Sequence, residues 1–273
     1  MLDATVDVQP APPPLPAPGL PVPWGSFAAL GDSFTEGLDD PLPDGSYRGW
    51  ADLVAAELDR HRPGLRYANL AVRGRLLQQV VAEQVPRALH LRPDLVSLVG
   101  GVNDLLRPSF DVEALHRCLD RGVAALRAQG SDVVLVVGVN PTVRSRLLAR
   151  LMPRVEALNA AVSAVAERNG CYAVDLFDAR VFDDPRLWSP DRLHLAAEGH
   201  ARVAGAYLQA LGLADATWRE PLPRQALAGW QQRRVDDAAW VRSHLGPWLG
   251  RRVRGQSSGL GVAAKRPDLT PLG

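Results

Sequence analysis

Residues Val133–Val139 read VVLVVGV, between Asp132 and Asn140. A nearly continuous β-branched run of this length predicts a strand buried on both faces, which is the environment of a parallel sheet covered by helices on two sides. Four other short apolar runs share its character: Ser26–Leu30, Leu65–Ala71, Asp94–Val99 and Tyr172–Leu176. Between them apolar residues recur at helical spacing. Trp50, Leu53, Val54 and Leu58 form one such stripe, and Leu76, Leu77, Val80, Val81 and Val85 another. Further helices are expected around Val112–Gln129, Leu147–Asn169 and Ala196–Leu211, with Gly130 and Gly170 placed as stop signals. Strand and helix alternate, so the expected fold is a three-layer α/β/α sandwich around a five-stranded parallel sheet, flavodoxin-like in class, followed by a helical or extended C-terminal appendage.

The chain has 273 residues, 47% of them hydrophobic, enough to bury a sizeable core. A net charge of +1 gives no global argument for nucleic acid as a partner. Residues 1–24 are rich in Pro and Ala, lack the basic and apolar regions of a signal peptide, and are expected to be disordered or extended. No apolar run reaches the length of a membrane span, so the cytoplasm is the expected location. Residues 25–212 then form the main domain, and residues 213–273 an appendage rich in Trp and Arg. From Trp218 onward there are ten basic and four acidic residues, so this segment carries about +6 and the chain before it about −5. An amphipathic helix is expected over Gln225–Leu245, and the last stretch, GRRVRGQSSGLGVAAKRPDLTPLG, reads as a tail without regular structure. Two accounts of the appendage stand: its tryptophans, Trp218 among them, pack back on the core, or Arg251, Arg252 and Arg254 beside Trp248 make a weak peripheral contact with an anionic lipid surface. Cys118 and Cys171 fit no metal-binding spacing and read as buried free thiols, with a disulfide left open.

In a parallel sheet of this kind, sites form at the C-terminal ends of the strands. Several chemically able residues fall there. Ser33, in GDSFTEG, follows the first run; Gly74 follows the second; Asn103 and Asp104, in GGVND, follow the third. Taken alone, each is an ordinary turn residue. A nucleophilic Ser33 needs a base, and of six histidines only His194 and His200 lie at the same rim, in WSPDRLHLAAEGH. Asp191, three residues before His194, can reach the imidazole and fix its tautomer, or can simply cap the following helix. His200 falls inside that helix and reads as a packing or surface residue. The stretch lacks the H-E-x-x-H spacing of a metal site.

Together GDSFTEG, NLAVRG, GGVND and DRLH, in this order, resemble the four blocks of the SGNH (GDSL-type) hydrolase family. The wording NLAVRGRLLQQVVAEQVPRAL and PDLVSLVGGVNDLLRP is similar to a GDSL-lipase-like subgroup common in actinobacteria. The resemblance implies Ser33 as nucleophile, His194 as base and Asp191 as the acid that orients it. It implies an oxyanion hole made of the backbone N–H groups of Ser33 and Gly74 and the Asn103 side chain. Asp32 and Asp104 become supporting residues that hold loops, and Glu36 a cap for the segment that follows. Neither metal nor organic cofactor is implied. The expected activity is hydrolysis of a small carboxylic ester by two-step acyl transfer, with a carbohydrate O-acetylesterase, an acyl thioesterase and a catalytically silent binding module as alternatives. Loops Leu38–Arg48, Leu105–Asp111 and Asn140–Leu148 would shape the pocket; acyl chain length and oligomeric state stay open.

Overall fold

Six strands form one sheet in the computed structural model, which describes residues 11–16, 21–140, 149–223 and 259–272. They are β1 (Ser26–Leu30), β2 (Arg66–Asn69), β3 (Leu95–Leu98), β4 (Asp132–Val137), β5 (Tyr172–Asp175) and β6 (Arg266–Pro271), in the order β5-β4-β3-β1-β2-β6. The first five are parallel, as their apolar runs predict. The order reverses between β1 and β3, so the crevice of this open sheet lies beyond the C-terminal ends of those two strands.

The helices are α1 (Ser33–Glu36), α2 (Gly49–His61), α3 (Leu77–Gln79), α4 (Val85–Leu91), α5 (Val102–Leu105), α6 (Val112–Ala128), α7 (Met152–Asn169) and α8 (Ala197–Ala210), with a π-helical turn, Val80–Gln84, between α3 and α4. Side chains alternate across a strand. Val134 and Val136 of β4 therefore face one layer, with Trp50 and Leu58 of α2 and Val203 and Tyr207 of α8. Val133, Leu135 and Val137 face the other, with Leu119 and Val123 of α6 and Leu158 and Val162 of α7. This double burial explains why VVLVV carries no polar residue. Trp50 and Tyr207 stack at 4.2 Å between ring centroids. Each such buried side chain contributes roughly 1.5–3 kcal/mol from apolar burial. Gly170 ends α7 in the left-handed conformation, and Gly130 follows the cap of α6 with φ 98°, as the stop signals predict.

β6 corrects the sequence reading. The tail was expected to lack regular structure, yet Arg266–Pro271 adds to the edge of β2 as an antiparallel strand, making six strands rather than five. Lys265 fastens its start: its ammonium donates to the Tyr47 and Arg48 carbonyls at 2.9 and 2.6 Å and to the Asp52 carboxylate at 3.0 Å. At the other terminus Val22 and Trp24 are buried, and the Trp24 indole donates to Asp132 at 2.8 Å. Trp218 packs into the core beside Phe182. The expected helix Gln225–Leu245, Trp248 and the arginines at 251, 252 and 254 lie outside the described residues. Cys118 and Cys171 are free and buried, so the disulfide does not form, and burial pushes the Cys171 thiol up to about 12. Among the described residues no helix is long and apolar enough to cross a membrane.

Candidate active site

Ser33 begins α1 directly after β1. Asp32 caps that helix, its carboxylate accepting from the Phe34 N–H at 3.1 Å. The Ser33 backbone N–H stands in the first turn of α1, where a helix offers no internal acceptor. Gly31, the hinge between strand and helix, is held on both sides by Gln84. The Gln84 side-chain oxygen accepts from the Gly31 N–H at 2.7 Å, and its amide donates to the Gly31 carbonyl at 2.8 Å. Gln84 is buried and belongs to the π-helical turn, a local irregularity often found beside functional sites.

His194 and Asp191 come from a tight hairpin closed by the Trp188–Leu195 bridge and by the Ser189 N–H donating to the His194 carbonyl at 2.9 Å. One Asp191 oxygen accepts from the Ser189 hydroxyl at 2.6 Å and from the Leu193 and His194 N–H groups at 2.8 and 2.9 Å. The other lies 2.5 Å from His194 Nδ1. Asp191 does not cap α8, whose N-cap is Ala196. With the Nδ1 proton donated to Asp191, the lone pair of Nε2 faces the Ser33 hydroxyl at 3.0 Å. Burial by itself would raise the Asp191 carboxyl, but its hydrogen bonds and the His194 charge hold it well below the ordinary carboxylate range. For His194, burial disfavours the charged ring. The Asp191 hydrogen bond and charge, with Asp39 and Asp32 behind them, outweigh burial and raise the pKa above its ordinary value. Asp39, at 3.8 Å from Nδ1, is a second carboxylate in the site that the sequence reading did not single out. Asp39, Asp191 and His194 lie close enough to surround an ion, but a proton on Nδ1 leaves that nitrogen no lone pair for one.

Asn103 sits in α5, beyond the end of β3. Its amide donates to Asp32 at 3.0 Å and to the Arg75 carbonyl at 3.1 Å. Asp104 turns the other way and accepts from the Leu77 N–H at 3.0 Å, tying α5 to the start of α3. Gly74 lies in the loop after β2 with φ 75°, a conformation that favours glycine. The structure thus brings two hydrogen-bonded sets together at neighbouring residues, Asp191–His194–Ser33 and Asp32–Asn103, with Gly74 adjoining through the Arg75 loop. Glu36 does not cap the next segment as expected. It is buried, and its carboxylate accepts from the Arg73 N–H at 2.8 Å and pairs with the Arg73 guanidinium.

His200 is a buried cross-tie. Its Nδ1 accepts from the Trp50 N–H at 3.2 Å and its Nε2 donates to the Leu38 carbonyl at 3.2 Å. Burial lowers its pKa to about 4, so it is neutral at pH 7. Beside α5 a cleft of 360 Å³ opens, lined by Leu76, Asp104, Arg107, Phe110, Leu115 and Arg121 among others.

Known proteins resemble this chain in sequence and fold. An acetylxylan esterase from Geobacillus stearothermophilus is 26% identical over 210 residues, which cover 67% of this chain and 92% of that protein. Among solved structures, LAE5, an alpha/beta hydrolase enzyme from the metagenome of Lake Arreo, Spain, is 25% identical with a TM-score of 0.59, over 70% of this chain and 96% of that one. The crystal structure of Axe2, an acetylxylan esterase from Geobacillus stearothermophilus, shares the fold at 18% identity and a TM-score of 0.57, over 70% of this chain and 96% of that one. Residues 29–202 match the GDSL-like Lipase/Acylhydrolase family. That span holds Ser33, Gly74, Asn103, Asp191 and His194, and the chain belongs to this family.

Proposed function

We propose that this acylhydrolase cleaves small carboxylic esters by two-step acyl transfer on Ser33. The observation that carries the reading is the unbroken line Ser33 Oγ, His194 Nε2, His194 Nδ1, Asp191 Oδ2, at 3.0 and 2.5 Å for its two hydrogen bonds. In the first step Ser33 Oγ attacks the ester carbonyl while His194 Nε2 takes its proton, and Asp191 steadies the imidazolium that forms. The carbonyl oxygen becomes an oxyanion that accepts from the Ser33 and Gly74 N–H groups and from Asn103. The Asn103 hydrogen now directed at the Arg75 carbonyl is the one that turns to the oxyanion. His194 then gives its proton to the leaving alcohol. Water repeats the cycle on the acyl-enzyme. The two backbone donors are set by the chain before the substrate arrives, which is what makes such stabilisation effective.

A carbohydrate O-acetyl ester is the second reading. It is supported by the acetylxylan esterase relative, nearly all of whose length this chain spans. A chain-length series of p-nitrophenyl esters, run beside acetylated xylan and an acyl-CoA, separates the readings. Ser33→Ala is expected to abolish turnover of every substrate in the series and labelling by a fluorophosphonate probe. Full turnover by purified Ser33→Ala would remove the assignment.

A further inference from the structure

The direction of the Gly74 N–H is set by the peptide plane it shares with the Arg73 carbonyl, because a peptide unit turns as one rigid group. Arg73, which carries that carbonyl, is held on both sides of its Cα, at its N–H and side chain on one side and at the carbonyl itself on the other. On one side is Glu36, in the helix that Ser33 begins. It accepts from the Arg73 N–H at 2.8 Å, and its two oxygens take the Arg73 Nε at 3.0 and 3.1 Å. The guanidinium also lies over the Tyr47 ring, 5.3 Å from its centroid. On the other side is Gly259, from the far end of the chain. It is buried against Val72 and Arg73, and a Cβ built on it would overlap the Arg73 carbonyl oxygen and stand 3.1 Å from Val72 Cγ1. Six residues on, Lys265 is fastened to the Tyr47 and Arg48 carbonyls and to Asp52, so Gly259 is anchored by its own segment.

We propose that Glu36 and Gly259 are positioning residues for the Gly74 N–H: Glu36 holds the Arg73 N–H, and Gly259 sets the Arg73 carbonyl that turns with Gly74. This rests on the reading in which Gly74 donates to the oxyanion. It gives the buried Glu36 a function in transition-state stabilisation. It also gives the segment preceding β6 a function at the site, although Gly259 comes 49 residues after α8 ends.

The test compares Glu36→Ala, Glu36→Gln and Gly259→Ala with the parent on p-nitrophenyl acetate and on a matched thionoester. Sulfur is a poor acceptor for hydrogen bonds, so the preference for the oxygen ester reports the quality of the oxyanion hole. Gly259→Ala and Glu36→Ala are expected to lower kcat by about 10²-fold, the cost of one misdirected oxyanion donor, with KM nearly unchanged and a reduced preference for the oxygen ester. Glu36→Gln keeps an acceptor for the Arg73 N–H and is expected to recover most of the loss. The proposal is overturned if either alanine variant, folded by circular dichroism, keeps parental kcat, or loses kcat with the oxygen-to-sulfur preference intact. If Glu36→Ala does not fold, Gly259→Ala decides alone, and failure of Gly259→Ala to fold leaves the decision to Glu36→Gln, whose thionoester preference must then match the parent. Activity in Ser33→Ala would instead remove the underlying reading, whatever the positioning variants do.

Discussion

The Asn103 amide donates to the Asp32 carboxylate across 3.0 Å, joining the segment after β3 to the turn after β1. One carboxylate therefore caps the helix of Ser33 with one oxygen and orients Asn103 with the other. Asp32→Asn keeps the cap but sets an amide against the Asn103 amide, donor facing donor. Turnover is expected to fall by about 10²-fold, as for loss of an oxyanion donor. Steady-state kinetics on p-nitrophenyl acetate checks this; an unchanged kcat would show that Asn103 is oriented by other contacts.

Stability carries the opposite signature. Burial pushes Asp32 up to about 6, outweighing its hydrogen bonds from Phe34 and Asn103 and the nearby His194 charge. A carboxyl whose folded pKa exceeds its unfolded value stabilises the fold at low pH, and that contribution is lost as pH rises from about 4 to about 6. His200 runs the other way. Its folded pKa of about 4 lies below the ordinary histidine value, so the folded state loses stability as pH falls from about 6.5 towards 4. Each shift of about two units is worth roughly 3 kcal/mol. The two nearly cancel across one pH window, so the parent's urea midpoint is expected to be flat there. Asp32→Asn should unmask a protein that weakens towards pH 4, and His200→Gln one that weakens towards pH 7. Parallel profiles for all three proteins would contradict the opposed titrations.

Ester hydrolysis needs a neutral His194, whose pKa burial would lower but whose carboxylate neighbours raise. Activity is accordingly expected to rise with pH through a midpoint above the ordinary histidine value. Asp39 is one of those neighbours, at 3.8 Å. Asp39→Asn should move the acid limb of kcat/KM to lower pH while leaving the plateau in place. A pH–rate profile measures the shift, and a limb that stays put would assign the raised pKa to Asp191 and Asp32 without Asp39.

Gly37 and Gly49 meet where α1 crosses the start of α2. A Cβ on Gly37 would stand 2.6 Å from the Arg48 carbonyl oxygen, and Gly37 has φ 92°. Gly37→Ala is expected to cost about 3 kcal/mol in chemical denaturation, from strain and overlap together. Because α1 carries Ser33, its turnover should fall as well.

The sequence displays most of this fold because burial writes itself into composition. VVLVV is apolar throughout because both faces of β4 are covered, and the predicted strands fall within two residues of the observed ones at nearly every end. β6 was invisible for the converse reason. Arg266, Pro267, Asp268 and Thr270 lie at an edge where neither face is fully covered, so no periodicity marks them, and proline is tolerated there. Ser33, Asn103, Asp191 and His194 were legible because each sits just past a strand end or in a short local motif. Glu36, Gln84 and Asp39 were not. Their partners Arg73, Gly31 and His194 lie 37, 53 and more than a hundred residues away, and a single buried carboxylate or amide in a sequence does not name its partner.

β2 waits for β6 through about 200 residues of intervening chain. During synthesis on the ribosome, the core strands can assemble while the outer rim of β2 still presents bare N–H and C=O groups. A nascent or prematurely terminated chain thus carries a sticky border that a second copy can extend. Solubility and yield should therefore depend on the residues downstream of Gly259 far more than their sparse burial would indicate. The same dependence makes a proteolytic cut ahead of Lys265 a route to self-association rather than to a trimmed, soluble enzyme.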